Sequence, residues 1–224
     1  MPPRSQKALL FDIDGTLVDT DALHVEAFNR VFEPRGHVFD LARAAKELQG
    51  FSNASIRERF LPDEPPERQA AIMEEKEAVF RTLVAGKIQP VPGLMALLAI
   101  AAEAGIPVVA VTNAPRLNAE MMLAGLGITD RFQAVVISDE LSHAKPHPEP
   151  YLEGMRAVHA AANQCVAFED SRSGIESASA AGIATVGLRT SLSHADLLEA
   201  GARLTAPAFD DPDLLIWLAA RMGW

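Results

Sequence analysis

Residues 11–21 read "FDIDGTLVDTD" (Phe11 to Asp21), four aspartates in eleven residues, reached through the apolar run "ALLF". A buried strand does not end on clustered like charge unless something positive sits there, because uncompensated carboxylates are costly to desolvate. The one-residue gap between Asp12 and Asp14 is equally informative. In an extended strand, side chains at i and i+2 point the same way, so the two carboxylates share a face. Gly15 permits a tight turn just beyond them.

Four further apolar runs have the character of this first one, "KALLFDI" (7–13). They are "IPVVAVT" (106–112), "AVVIS" (134–138), "QCVAFED" (164–170) and "IATVGL" (183–188). Continuous rather than alternating apolar character predicts strands covered on both faces, as in a parallel sheet. The helical stretches "APRLNAEMMLAGLG", "PEPYLEGMRAVHAAA" and "SGIESASAAG" separate the last four runs. The alternation predicts an open, Rossmann-like α/β sheet with right-handed crossovers. Residues from about 21 to 89 break the rhythm: they read as helical throughout, far more chain than one crossover needs. They predict an inserted helical cap, giving a core of residues 1–19 and 91–224 and a cap of residues 20–90. Pro90 and Pro92 stiffen the return linker.

Ligands of open α/β sheets bind beyond the carboxyl ends of the strands, where strand order reverses. The polar residues at those ends are Asp12 and Asp14, Thr112 and Asn113, and Glu169 and Asp170, with Lys145 in the loop "SHAKPHPEPY". Alone, each has an ordinary reading: "DIDGT" as a turn, "FED" and "VTNA" as helix caps, Lys145 as a solvated lysine. Their convergence on one crevice predicts a cation and phosphate site. Mg²⁺ takes oxygen ligands and a substrate phosphate, and a carboxylate can serve as phosphoryl acceptor.

The four segments "FDIDGTLVDTD", "VTNA", "AKPHPEPY" and "FEDSRSGIESASAAG" resemble the ordered motifs of the haloacid dehalogenase superfamily. The match is closest to the branch with a small helical cap, which includes β-phosphoglucomutase and phosphoglycolate phosphatase. The resemblance implies Asp12 as nucleophile and Asp14 as general acid/base, Thr112, Asn113 and Lys145 as phosphate-binding residues, and Asp12, Asp14 (through its carbonyl), Glu169 and Asp170 as Mg²⁺ ligands. It also places the first strand between the second and fourth. Intact Asp14 argues against the halide-displacing and phosphonate-cleaving members. What remains is an Mg²⁺-dependent phosphatase for a small monoester, phosphoglycolate or a sugar phosphate, working through an aspartyl-phosphate. A sugar phosphomutase is the enzymatic alternative, and a catalytically silent binding protein the other. His24 and Lys76 fall where the mutase carries cap residues, and with Asn53 they are the candidate substrate-contacting residues. Asn53, however, stands in place of its arginine, and "TNA" in place of its Ser-Ala-Ser.

Elsewhere the plain readings hold. Lys76, among Glu74, Glu75 and Glu77, reads as surface charge, Asp19 and Asp21 as the exit to the cap, and Ser55 with Glu58 as a capping box. His143 and His147 lack metal spacing, Cys165 reads as a core thiol, and Met121 and Met122 as packing residues. Net charge is −10 with no basic run, which argues against nucleic acid. No apolar run has membrane length. One cysteine and no signal pattern lead us to expect a cytoplasmic monomer whose partner is a small phosphorylated metabolite.

Overall fold

The computed structural model describes residues 6–224. The strands are β1 (Gln6–Phe11), β2 (Val108–Thr112), β3 (Ala134–Ile137), β4 (Ala160–Glu169), β5 (Ala184–Leu188) and β6 (Leu204–Ala206). They form one sheet in the order β3-β2-β1-β4-β5-β6, and every pairing is parallel. Between β1 and β2 lie α1 (Asp21–Phe32), α2 (Leu41–Glu47), α3 (Asn53–Phe60), α4 (Pro66–Val84) and α5 (Leu94–Glu103). Then come α6 (Arg116–Gly125), α7 (Glu149–Ala157), α8 (Arg172–Ala180), α9 (His194–Glu199) and α10 (Pro212–Met222).

The two-residue period of β1 divides the core. Leu9 and Phe11 join one apolar cluster with Leu94, Phe168 and Leu214, while Ala8 and Leu10 join another with Tyr151, Met155 and Ala178. Both faces are therefore covered, which is why the run carries no polar alternation. A third cluster holds the inserted helices together through Phe28, Phe32, Phe39, Phe60 and Ile72. β1 pairs with β2 on one side and β4 on the other. Strand order thus reverses at the end of β1, and the crevice opens above Asp12.

Two departures from the sequence expectation concern the periphery. "VHAAA" does not continue α7. Val158 caps the helix, His159 turns the chain with φ of 53°, and Ala160 already pairs with Gln6 in the sheet. Strand pairing here overrides the helical preference of alanine. The sixth strand, only three residues at the sheet edge, carries too short an apolar run to be seen in sequence.

Candidate active site

Asp12 is the first residue past β1, and its backbone N–H still donates to the Phe168 carbonyl of β4 (3.0 Å). The chain then turns sharply at Gly15 (φ 73°). A side chain at Gly15 would place its Cβ 2.0 Å from Asp170 Oδ2, so glycine is what lets the two loops close on each other.

Lys145 is the hub. Its buried ammonium donates to Asp12 Oδ1 (2.6 Å), Glu169 Oε1 (2.6 Å) and the Val111 carbonyl (2.7 Å), which uses all three of its protons. The loop that carries it is held by Asn113, whose Oδ1 accepts from the Lys145 N–H (3.2 Å). The Asn113 amide also donates to the Gly50 carbonyl of the inserted segment (2.8 Å), so this side chain joins the two halves of the chain. Thr112 ends β2 buried, its Oγ1 accepting from Ala114 N–H (3.0 Å). That contact keeps its O–H available as a donor. Glu169 is fixed further by the Tyr151 hydroxyl (2.6 Å) and Ser171 (3.3 Å). Gly174 leaves room for it, since a Cβ there would lie 1.9 Å from Glu169 Oε2.

Charge at this end does not balance. Asp12, Glu169 and Asp170 gather ligand oxygens within 4.8 Å of one another, all buried, against the single ammonium of Lys145. Burial, with Glu169 and Asp14 nearby, raises the Asp12 carboxyl to about 8 despite the lysine. Burial, Asp12 and Asp21 push Asp170 well above the usual carboxylate range. With all three carboxylates ionised, the single lysine would leave two negative charges, which burial resists, and oxygen donors of this kind suit a hard divalent cation.

Asp14 faces the other way. Its Oδ1 accepts from Thr20 Oγ1 (2.7 Å) and meets His24 Nε2 (2.9 Å). Burial alone would raise its carboxyl, but His24, Thr20 and the charge of Lys76 together hold it below its ordinary value. The His24 ring stacks on Phe80 at 3.8 Å, and its Nδ1 lies 3.1 Å from Lys76 Nζ. An ammonium only donates, so Nδ1 accepts and Nε2–H is the edge turned to Asp14.

Several expectations are corrected. Lys76 is not surface charge: it is buried, between His24, Glu77 Oε1 (3.2 Å) and the Phe28 ring (4.3 Å to the centroid). Asp21 is more than an exit residue, because it lines the cavity and accepts from Ser191 (2.6 Å), which also bonds Asp170 (2.7 Å). Asn53, a candidate substrate contact, lines the cavity, and its amide donates to Glu77 Oε1 (2.9 Å). The cap of α3 is Ser52, accepting from Ser55 N–H (3.3 Å), not a Ser55–Glu58 box. His143 and His147 do meet Glu149, the first at 2.8 Å, in an exposed cluster beside the Lys145 loop.

Sequence reasoning assigned no role to Gln49, Asn118, Tyr151 or Ser191, and read Glu77 only as a surface partner of Lys76. Asn118, on α6, donates to Glu77 Oε2 (2.7 Å) and so ties α6 to α4. A cavity of about 100 Å³ lies between Asp12 and the inserted helices, and Asp14, His24, Lys76, Thr112 and Asn113 all line it.

A parallel sheet that presents an aspartate pair, a buried lysine and a second acidic pair at its switch point points to a class of α/β hydrolases. The chain belongs to the haloacid dehalogenase-like hydrolases, whose family model matches residues 9–188, and it is a phosphoric monoester hydrolase of the helical-cap branch. It is 33% identical over 202 residues to a phosphorylated carbohydrates phosphatase of Thermotoga maritima, covering 88% of this chain and 92% of that one. It is 30% identical over 182 residues to the fructose-1-phosphate phosphatase YqaB of Escherichia coli (81% and 95%). Among solved structures, CbbY from Rhodobacter sphaeroides in complex with xylulose-(1,5)bisphosphate superposes with a TM-score of 0.79 at 28% identity, over 92% of this chain and 96% of that one.

Proposed function

We propose that the protein is an Mg²⁺-dependent phosphatase for a small sugar-type phosphate monoester, working through an aspartyl-phosphate on Asp12. The supporting observation is the Lys145 ammonium shared between Asp12 and Glu169 at 2.6 Å each, beside an acidic set with too little positive charge to ionise fully without a cation. Residues 1–19 and 91–224 act as the catalytic core and residues 20–90 as the cap.

In the first step an Asp12 carboxylate oxygen bonds to phosphorus, the P–O bond to the alcohol breaks, and Asp14 gives that alkoxide its proton. In the second, water attacks the acyl phosphate and gives a proton to Asp14. Inorganic phosphate leaves and the Asp12 carboxylate is restored. Asp14 is held as the anion in the resting site, the form the second step requires. Approach of a phosphate dianion raises it toward the acid form used in the first. Lys145 keeps Asp12 oriented and offsets charge as the phosphoryl group arrives, while Thr112 is placed to donate to a phosphate oxygen. When bound by Asp12, Asp170 and the Asp14 carbonyl, with Glu169 in support, Mg²⁺ supplies the charge neutralisation that lets an anionic substrate meet an anionic nucleophile.

A phosphomutase would need a second anchoring site for phosphate, and Asn53, in the position of the mutase arginine, is committed to Glu77. Hydrolysis of an aryl phosphate by the purified protein with Mg²⁺ tests the reading. Activity that persists in excess chelator, or in Asp12→Asn, would overturn it.

A further inference from the structure

Lys145 points inward from the segment that joins β3 to α7, while its neighbours face water. His143 and His147 are exposed, and Glu149, the first residue of α7, is half-buried. Sequence spacing alone does not pair the two histidines, because positions i and i+4 meet only where the chain coils or turns. Here it turns: the His147 N–H donates to the Ala144 carbonyl (3.0 Å). The two rings stack, with 4.2 Å between centroids and 26° between planes. His143 Nδ1 lies 2.8 Å from Glu149 Oε2, and His147 Nδ1 accepts from the Glu149 backbone N–H (3.2 Å). The support is fixed on both sides. Ser177 Oγ donates to the His147 carbonyl (2.6 Å), and Asn113 Oδ1 accepts from the Lys145 N–H (3.2 Å).

Among the described residues, two groups of His, Cys, Asp or Glu gather three donor atoms within 4.8 Å of one another. One is the acidic set of the active site, and the other is His143, His147 and Glu149. Their chemistry differs. Three carboxylates suit a hard ion such as Mg²⁺, whereas two imidazoles and one carboxylate suit a borderline ion such as Zn²⁺. Tetrahedral donors at about 2.0–2.1 Å from zinc stand about 3.3 Å apart, so the trio needs only small rotations of surface side chains. His143 Nδ1–H donates to the Glu149 carboxylate, which only accepts. An ion taking the place of that proton leaves it to the other ring nitrogen, and a side chain 60% exposed can carry it in water. An ordinary surface ion pair between His143 and Glu149 contributes little and gives the stacked His147 no part.

We propose that His143, His147 and Glu149 form a second metal site, for Zn²⁺ or a similar borderline divalent ion, and that this ion fastens the loop carrying Lys145. The site goes beyond the phosphatase reading and does not depend on it. His143 stands two positions before Lys145 and His147 two positions after it. An ion held by both therefore closes a short ring of chain around the residue that contacts Asp12 and Glu169. Glu149 adds α7 to the same ion, and Tyr151 of that helix donates to Glu169 (2.6 Å). Occupancy thus stiffens the support of the buried lysine from the outer surface, with no ligand shared with the acidic set. Water fills the fourth position of the tetrahedron.

The test is calorimetric titration of the full chain with Zn²⁺ in saturating Mg²⁺. His143→Gln and His147→Gln should each weaken Zn²⁺ binding by about tenfold or more, whereas Asp12→Asn should leave it unchanged. The last comparison keeps this result separate from the phosphatase reading, which fails or stands on turnover. No Zn²⁺ binding by the parent, or equal affinity in the parent and both histidine variants, overturns the site. Hydrogen exchange of amides 142–150 should slow by about tenfold or more in the parent at a roughly hundredfold excess of Zn²⁺ over Kd. Unchanged exchange there overturns the fastening of the loop. Metal-free melting curves check the fold of each variant. Should one melt early, Co²⁺ added to the parent decides: the intense visible bands of a four-coordinate ion support the site, and the weak bands of a six-coordinate ion alone sink it.

Discussion

The Lys145 ammonium stands 2.6 Å from Asp12 Oδ1 and has no proton left over, because Glu169 and the Val111 carbonyl take the other two. Lysine here is structural and electrostatic at once. Replacing it with methionine leaves two buried carboxylates without a counter-charge, a change of the kind that costs about 3–5 kcal/mol. Urea denaturation of Lys145→Met at neutral pH should show a loss of that order, together with near-complete loss of turnover. A stability within about 1 kcal/mol of the parent would show that the carboxylates are compensated in another way.

The acidic set also gives metal-free protein a definite pH dependence. Asp12 is raised by burial to about 8 and Asp170 is raised well above its ordinary value. A group raised on folding contributes stability that is full below its unfolded pKa and lost as pH rises through the folded one. Asp14 and Glu77 are shifted the opposite way, so they are ionised in both states above pH 6 and add no slope there. Metal-free protein should therefore be more stable at pH 6 than at pH 8, by at most about 1.4 kcal/mol per pH unit for each proton involved. Saturating Mg²⁺ should flatten the slope and add roughly 2.7 kcal/mol at a hundredfold excess over Kd. Thermal melts with chelator or Mg²⁺ at several pH values measure both.

Asp12→Asn should abolish turnover, by about 10⁴-fold or more, since the amide cannot serve as phosphoryl acceptor. The same change removes one of the crowded buried charges, so the metal-free fold should melt no lower than the parent. A lower melting temperature would mean that the Asp12–Lys145 pair contributes net stability.

His24 is among the groups that keep Asp14 ionised, against the pull of burial. His24→Asn removes the imidazole, and the acid limb of the hydrolysis-step pH profile should move to higher pH. Single-turnover dephosphorylation across a pH series reads this limb directly. An unmoved limb would restrict His24 to packing against Phe80.

Cys165 is fully buried in β4, and burial drives its thiol up to about 11 against small opposing effects from the Ala8 backbone and Arg221. A disulfide reagent at pH 8 should leave native protein unmodified and label one thiol once the chain is unfolded. Rapid labelling of native protein would show that β4 opens readily.

What could be read in the sequence was whatever is local. A short apolar run covered on both faces, ending in polar residues, is visible in five consecutive positions, so Asp12, Thr112 and Asp170 were placed from pattern and Lys145 from its loop. What escaped was set by partners distant in the chain. The stretch "MEEKEAVF" has the same pattern whether Lys76 meets water or, as it does, His24 fifty-two positions earlier. Glu77 and Asn118 meet across forty-one residues, and Ser191 reaches Asp21 across one hundred and seventy.

Gly50 brings the inserted helices down onto the sheet through its carbonyl, which accepts from Asn113 (2.8 Å) and Ser173 (2.5 Å), with φ of 71° and no room for a Cβ, which would lie 2.4 Å from Ser173 Oγ. The fastening on the inserted side is thus main chain, common to every amino acid, and depends only on the absence of a side chain at one position. The side chains of its neighbours Gln49, Phe51 and Asn53 take no part in it. At this point the hold of the inserted segment on the sheet is separable from the side chains that line the cavity beside it, so the sequence there can change without altering the contact.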